Sequence, residues 1–412
     1  MRAFLLSNYF PTDPKTCVHG IFQRLDMLVE AAAIKCDELD MLFFVAPGID
    51  VSPASVETYQ IALRERWGGK INLFLVGHAV NPHFDSNWDR YGAGIFDVYR
   101  QENVSLMCGL EQVSAIQKCL ARKPDWILAH RLNAMLSLMR APGKLPPVIL
   151  DLDDIEHRSH WRRVTNYPRW PGERLTLLHT PALRTAELRA IRTSSLTFVC
   201  SKPDQVFMAK NAGSSNVVTI PNSTKFLLEA TGFVDSPNLL FVGTFDYRPN
   251  LQAVNYLVEK IWPLIKLRVP AARLLIAGSG EKLLKHFNSP PNGVEYLGFV
   301  DDLDQLYRTT RIVCCPMLAG GGTRIKIIEA AAHGKAIVST TLGSEGLELE
   351  NGTEISIHDG AANFAQSCIQ LLQNAELCEK LGSAARRVVA RKYDRDAVIS
   401  KIVSHIHDVL EI

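Results

Sequence analysis

Leu318-Ala-Gly-Gly-Gly-Thr-Arg-Ile-Lys-Ile-Ile-Glu329 decides how this chain is read. It follows a short apolar run, Ile312-Val-Cys-Cys-Pro-Met317, which reads as a buried parallel strand. Three glycines then make a turn free of side chains. The spacing of Ile325, Ile328 and Ala332 predicts a helix, Gly334 its end, and Ala336-Ile-Val-Ser-Thr340 the next strand. The product is a βαβ unit whose glycine turn opens a helix, a ready place for an anion.

Charge sharpens that reading. Arg324 and Lys326 fall in the predicted first helical turn, where the macrodipole disfavours each cation by roughly 0.3–1 kcal/mol. A local rule broken in this way points to function. An anion in the turn converts the cost into attraction. Glu329 follows Lys326 within one turn, so carboxylate and cations can share a face. The plain alternative is a solvated helix with a salt bridge.

Outward from this unit, short apolar runs alternate with helical patterns along the whole chain. Strands are expected at 3–7, 41–45, 71–76, 126–129, 148–152, 196–200 and 217–220 in the first half. In the second half they are expected at 239–242, 273–277, 294–297, 312–316, 336–340 and 355–357. Strand–helix alternation predicts an α/β protein with doubly wound parallel sheets. Thirteen strands suit two sheets better than one, so two domains are expected, with the break near Asn222–Asn238.

The 412 residues leave room for both cores. Apolar content of 47% and charged content of 21% are ordinary for a globular chain, and a net charge of +2 gives no field to draw nucleic acid. Nine scattered cysteines lack metal-type spacing; Cys314 and Cys315 read as buried thiols, and the compartment as reducing. No run approaches the ~20 apolar residues of a spanning helix, and the N-terminus lacks a signal-peptide pattern. A cytoplasmic protein, free or peripheral at the inner face of the membrane, is expected.

Five further stretches carry candidate chemistry. Both halves open with a strand and a loop, Ser7–Gly20 in the first and Phe241–Asn250 in the second, where Gly243 lets backbone approach a ligand and Pro249 suits a helix start. Ala277-Gly-Ser-Gly280 lacks the third glycine of a dinucleotide fingerprint, which makes an NAD oxidoreductase the weakest reading. Asp151-Leu-Asp-Asp-Ile-Glu156 follows a strand end: Asp153 and Asp154 can hold a sugar hydroxyl or act as base, Asp154 can equally cap the next helix, and a metal ranks below both. Residues 157–174 carry five arginines interleaved with Trp161, Tyr167 and Trp170, with Glu173 offsetting them; an anionic bilayer, a phosphorylated acceptor and a solvated face all fit this composition.

The second half resembles the nucleotide-sugar domain of GT-B glycosyltransferases of glycosyltransferase family 4. The resemblance is carried by Phe241-Val-Gly-Thr244, Leu275-Ile-Ala-Gly-Ser-Gly280, Val294-Glu-Tyr-Leu-Gly-Phe-Val300, Gly320–Ala330, His333–Ser339 and Ser344-Glu-Gly346. Val199-Cys-Ser201 and Ile220-Pro-Asn-Ser223 look like the last strand pair of that family's N-terminal domain. A branch with a Gly-Gly-Gly-Thr-Arg-x-Lys donor loop is the nearest match.

That resemblance implies two Rossmann-like domains facing across a cleft: residues 1–225 for the acceptor, 226–393 for the donor, and a helix from 394 to 412 crossing back. It implies a retaining, metal-independent transfer, of a hexosyl group and without a cofactor, from a nucleotide-diphosphate sugar to a hydroxyl of a glycan, glycolipid or glycoconjugate. Polysaccharide biosynthesis is the expected setting. The donor residues it implies are Gly243, Thr244, Arg248, Gly278, Phe299, Val300, Gly320, Gly321, Gly322, Thr323, Arg324, Lys326 and Glu329. Glu329 would hold ribose hydroxyls, and Phe299 and Val300 would border the base. On the acceptor side stand His19, Gly20, Arg24, His130 and Asp153; Asp153, Asp154, Arg324 and Lys326 are the catalytic candidates. The chain departs from the family where Gly321 replaces the first glutamate of a pair, Thr244 replaces an arginine, Arg248 lies only near a lysine position, and Asp153 appears in place of a histidine. A catalytically silent sugar-nucleotide binder and a GT-B sugar epimerase are the competing readings.

Overall fold

A computed structural model describes residues 1–14, 20–79, 91–166, 171–226 and 232–411. Its backbone divides into two units. The first comprises Met1–Pro221 with Ile399–Ile412, and the second comprises Asn222–Val398.

The first unit is a seven-stranded parallel sheet of β1 (Arg2–Ser7), β2 (Glu38–Val45), β3 (Lys70–Gly77), β4 (Trp126–His130), β5 (Val148–Asp153), β6 (Leu196–Val199) and β7 (Val217–Thr219). The order is β3-β2-β1-β4-β5-β6-β7. Its strands are apolar on both faces because helices cover both: Ala3, Phe4, Leu5 and Leu6 are all fully buried. The helix Arg395–Leu410 contributes its residues from Ile399 onward to this unit, where Lys401 Nζ donates to the Thr219 carbonyl at 2.7 Å.

The second unit is a six-stranded parallel sheet of β8 (Asn238–Val242), β9 (Arg273–Ala277), β10 (Val294–Gly298), β11 (Ile312–Cys315), β12 (Ala336–Ser339) and β13 (Ser356–Ile357). The order is β10-β9-β8-β11-β12-β13. Every expected strand is therefore present, within a residue or a few at its ends. In each sheet the winding reverses between the first strand and the fourth, β1 and β4 in one and β8 and β11 in the other. Ligands of open α/β sheets bind beyond the carboxyl ends of strands at such a reversal.

Two helices differ from expectation. The helix after the glycine turn spans Ile325–Ala332, so Arg324 is the extended residue before it (φ −90°, ψ 99°), not part of its first turn. Ile327 and Ile328 are fully buried while Ile325 is only partly so, because sheet and neighbouring helices enclose more than one stripe. The helix ends where Lys335 N–H bonds to the Ala330 carbonyl and Gly334 N–H to that of Ala331, with Gly334 left-handed at φ 69°. The helix after β8 starts at Arg248 with Pro249 in its first turn, and departs from a regular helix further on. It passes through a π turn at Leu257–Ile261 just before Pro263, which has no N–H to give a regular helix.

The stretch before β8 is fastened to the second unit by cations. Lys335 Nζ donates to the Gly232 carbonyl at 2.7 Å, Arg311 pairs with Asp235 at 2.9 Å and lies over the Phe233 ring, and Arg386 lies over Phe226. Cys314 and Cys315 are free, buried thiols. Among the described residues no helix is long and apolar enough to cross a membrane.

Candidate functional site

In the second unit, the loops following β8, β9 and β11 meet at the winding reversal. Gly243 N–H bonds to the Ala277 carbonyl at 3.0 Å, and Phe245 N–H to that of Ser279 at 2.9 Å. This interlock needs Gly278: its φ is +144°, and a Cβ there would sit 1.9 Å from the Gly243 carbonyl oxygen. Gly320, at φ +104°, lies under two side chains, since a Cβ would be 2.9 Å from Tyr247 Oη and 3.3 Å from Arg324 Nη2.

Arg324 curls back onto its own loop. Nη1 donates to the Gly322 carbonyl at 2.6 Å and to the Gly321 carbonyl, while Nε and Nη2 are buried with no partner. The residue is 7% exposed. A guanidinium that delocalised and that buried, with two nitrogens unpaired, has the chemistry to receive an anion. Lys326, half-buried in the first helical turn, sets its ammonium 4.1 Å from the centre of the Phe241 ring and donates to Asn250 Oδ1 at 2.8 Å. Burial is the main cause that lowers its pKa to about 8. Among the described residues, no carboxylate lies within ion-pair distance of Arg324 or Lys326.

The remaining donor candidates fall around this core. Thr244 gives its carbonyl to Asn250 Nδ2 at 2.9 Å. Arg248 opens the following helix, half-buried, with Nη1 unpaired. Glu329 lies one turn beyond Lys326, half-buried. Phe299 stands 46% exposed after β10, whereas Val300 packs on the core. The Thr323 hydroxyl is taken by Asn222 Nδ2 at 2.9 Å. Sequence reasoning missed Tyr247 and Asn250; the signal available was the Pro249-Asn250 helix start directly after a strand-end glycine.

In the first unit a polar cluster is buried at the carboxyl ends of β1, β4 and β5. Arg24 reaches up from the helix Gly20–Lys35 and grips Asp151, with Nε 2.9 Å from both carboxylate oxygens and Nη2 2.5 Å from Oδ1. Nη1 holds the Ile220 carbonyl at 3.0 Å, and Asp153 lies 3.6 Å from Nε. Burial opposes the Arg24 charge, but the Asp151 charge outweighs it and its proton is held more tightly than usual. At 1% exposure Arg24, expected on the acceptor side, is taken up by Asp151 in the described structure.

His130, also expected on the acceptor side, is fully buried as well. Its Nδ1 is 2.8 Å from Ser7 Oγ and its Nε2 has no partner. Burial, then the Arg131 charge, lowers its pKa to about 3, so the ring is neutral. Asp153 is the group of this cluster that reaches the surface. Its φ of +57° is unusual for a non-glycine residue, and Arg131 at the end of β4 is similarly strained at φ +73°. Burial works against the Asp153 charge, but Arg24 and Arg131 outweigh it and hold the carboxyl below its usual range. Asp154 accepts from Ser159 Oγ at 2.5 Å, and burial followed by the Glu156 charge raises its carboxyl to about 6. Gly20 is exposed at the start of its helix; His19 lies outside the described residues.

The basic segment is more compensated than its sequence implied. Arg163 pairs with Glu173 at 2.7 Å inside the segment, and Arg158 reaches Asp204 at 3.4 Å and stacks on Phe207, partners that a helix distant in sequence supplies. Trp161, Leu175 and Leu178 are half-exposed; Tyr167 and Trp170 lie outside the described residues.

Residues 236–374 match the family model "Glycosyl transferases group 1". A Klebsiella pneumoniae relative, "Uncharacterized 44.6 kDa protein in cps region", is 28% identical over 173 residues, 40% of this chain and 45% of its own length. Phosphatidyl-myo-inositol mannosyltransferase of Mycolicibacterium smegmatis is 28% identical over 206 residues, 46% of this chain and 51% of its own. The chain thus spans about half the length of the curated relatives it matches. The Anabaena protein HepE, solved in complex with UDP and glucose, superposes with a TM-score of 0.64 at 15% identity, covering 99% of this chain and 100% of its own. The fold is that of the GT-B glycosyltransferases, and the loop Gly320–Lys326 lies inside the segment that matches the group 1 model.

Proposed function

We propose that this protein is a nucleotide-sugar-dependent glycosyltransferase that moves a hexosyl group, with retention, to a hydroxyl of a glycan, glycolipid or glycoconjugate. One observation carries the reading: Arg324 and Lys326, with no described carboxylate within ion-pair distance, stand at a glycine turn on the winding reversal. The match of 236–374 to group 1 glycosyltransferases and the mannosyltransferase relative support it.

Departure of a nucleoside diphosphate builds negative charge on its β-phosphate. Arg324 Nε and Nη2, the Lys326 ammonium and the Gly320–Thr323 amides are the groups to stabilise that charge, already oriented before the reaction. Two protein cations in this role do the work that a divalent metal does elsewhere, and the transfer is accordingly assigned as metal-independent. Glu329 is assigned to the ribose, Phe299 to the base, and Arg248 to the diphosphate. Asp153, ionised and reaching the surface of the first unit, is assigned to the acceptor hydroxyl. Exposed Trp161 and Arg174 keep a lipid-linked acceptor within this proposal, and retention of the protein by anionic but not neutral vesicles is its test.

The main test is a thermal-shift panel of UDP, GDP, dTDP and ADP with their sugars, followed by transfer assays with the base that binds. A ligand at a hundredfold excess over its Kd stabilises the native state by about 2.7 kcal/mol. A shift confined to one base is expected; no shift with any would sink the reading. Gly321, where the resemblance places a sugar-contacting glutamate, favours one second reading, a silent scaffold. That protein would bind nucleotide sugar and neither transfer nor hydrolyse it.

A further inference from the structure

Lys326 is held by a neutral group in a place where a carboxylate would be the stronger partner. Its ammonium donates to Asn250 Oδ1 at 2.8 Å, and Asn250 Nδ2 donates to the Thr244 carbonyl at 2.9 Å. These two partners fix the amide's orientation, since only the oxygen can face an ammonium and only the nitrogen a carbonyl. Asn250 is itself 7% exposed. Gly243 leaves the space: a Cβ there would be 2.7 Å from Asn250 Nδ2 and 2.9 Å from Lys326 Nζ. The cation is therefore seated against the strand-end turn of β8, on the Phe241 ring.

We propose that Asn250 is the positioning residue of the anion site, holding the Lys326 ammonium toward an incoming diphosphate without neutralising it. The proposal rests on the glycosyltransferase reading above. Its logic is competitive. An aspartate at 250 would hold the ammonium as firmly but would form an internal ion pair, which a phosphate must then break. A residue with no acceptor would leave the ammonium to the ring face alone. The amide does neither, because it accepts a hydrogen bond and carries no charge.

The groups facing Lys326 are few. Arg324, from the glycine turn, repels it; Cys315 on β11 and Glu329 on its own helix favour its charge; Phe241 and Asn250 complete the shell. Burial brings its titration to about 8, so small changes in its partners move its charge through an accessible pH range.

The experiment measures nucleoside diphosphate affinity by calorimetry between about pH 7 and pH 9, using whichever of UDP, GDP, dTDP or ADP the wild type binds. The proteins are wild type, Asn250→Ala, Asn250→Asp and Lys326→Met. Wild-type affinity is expected to fall above about pH 8 as Lys326 loses its proton. In Asn250→Ala the fall should begin at lower pH, because the charged form has lost its acceptor. Asn250→Asp should bind roughly tenfold more weakly at pH 7 and show a flattened profile, since the carboxylate both competes with phosphate and holds the proton. Lys326→Met should be weak and flat. Asn250→Asp also sets a carboxylate against the Thr244 carbonyl, so Asn250→Ala carries the test if that variant does not fold. If Asn250→Ala weakens binding but keeps the wild-type pH profile, Asn250 is only a structural strut and the proposal falls. If the wild type binds no nucleoside diphosphate, the glycosyltransferase reading falls first and takes the proposal with it.

Discussion

Replacing Arg24 by methionine should cripple the first unit at neutral pH and much less in acid. Arg24 is 1% exposed and Asp151 fully buried, and the guanidinium satisfies both carboxylate oxygens, the Ile220 carbonyl and, more distantly, Asp153. Methionine fills most of the volume, so packing loss is small and the electrostatic loss dominates. Breaking one side of such a buried pair costs about 3–5 kcal/mol, because a charge is left with no compensation. For a domain of this size that is roughly 6–20 °C in Tm, at about 2–4 °C per kcal/mol. The pH dependence follows in sign. Burial already raises the Asp151 carboxyl, and without Arg24 only the Arg131 charge opposes that rise. A carboxyl raised in the folded state is no burden where it is protonated in both states, and becomes one as pH climbs past its unfolded value. The wild type moves the same way but less, because Arg24 opposes the rise of the Asp151 carboxyl. The two proteins should converge near pH 4 and diverge toward pH 8. Urea unfolding with amide exchange at β1, β4 and β5 assigns the loss to this unit. A variant within about 1 kcal/mol of wild type at pH 8, or an equal loss at both pH values, refutes the reasoning.

Three further outcomes follow from particular contacts. Arg324→Ala should weaken nucleoside diphosphate binding by roughly 10- to 100-fold, the worth of one charged hydrogen-bonding group; calorimetry giving wild-type affinity would remove Arg324 from the site. Gly278→Ala forces an L side chain to φ +144° with its Cβ 1.9 Å from the Gly243 carbonyl oxygen. Backbone strain alone is about 1–3 kcal/mol, so a melting scan should show lost stability and titration should show lost nucleotide binding together. Asp154, raised to about 6 by burial and then by Glu156, weakens the fold as pH rises from about 4 to 6. Asp154→Asn keeps an acceptor for Ser159, and should melt above wild type at pH 7–8 with no advantage below pH 4; an advantage that does not depend on pH would contradict this origin.

Much of this was legible in the residues. The apolar runs are short and uninterrupted because their strands are buried on both faces, so periodicity and length sufficed to find them. Gly243 and Gly278 directly follow strands and Gly320 stands in the loop after β11, positions where glycine has a backbone reason, and Lys326 breaks a local rule by placing a cation in the first turn of its helix. Helix limits were less visible: Arg324 falls before the helix because its side chain folds back to the loop carbonyls, a contact with no sequence period. The pairings of the basic segment escaped for a related reason, since Asp204 lies 46 residues beyond Arg158 and only the fold joins them.

Local chemistry determined that this chain forms two parallel sheets with a glycine turn at 320–322, and it singled out Arg324 and Lys326 as the candidates for an anion. Only tertiary structure decided which polar residues are available for chemistry. Arg24 and His130 look like ligand contacts in a list of loop residues, yet packing across strands 100 or more residues apart buries both and leaves Asp153 as the group that reaches the surface. Asn250 looks like an ordinary helix start, yet the meeting of β8 and β11 gives it the Lys326 ammonium to hold. Propensity and periodicity act over a few residues, whereas burial and partner choice are set by segments the chain brings together only on folding.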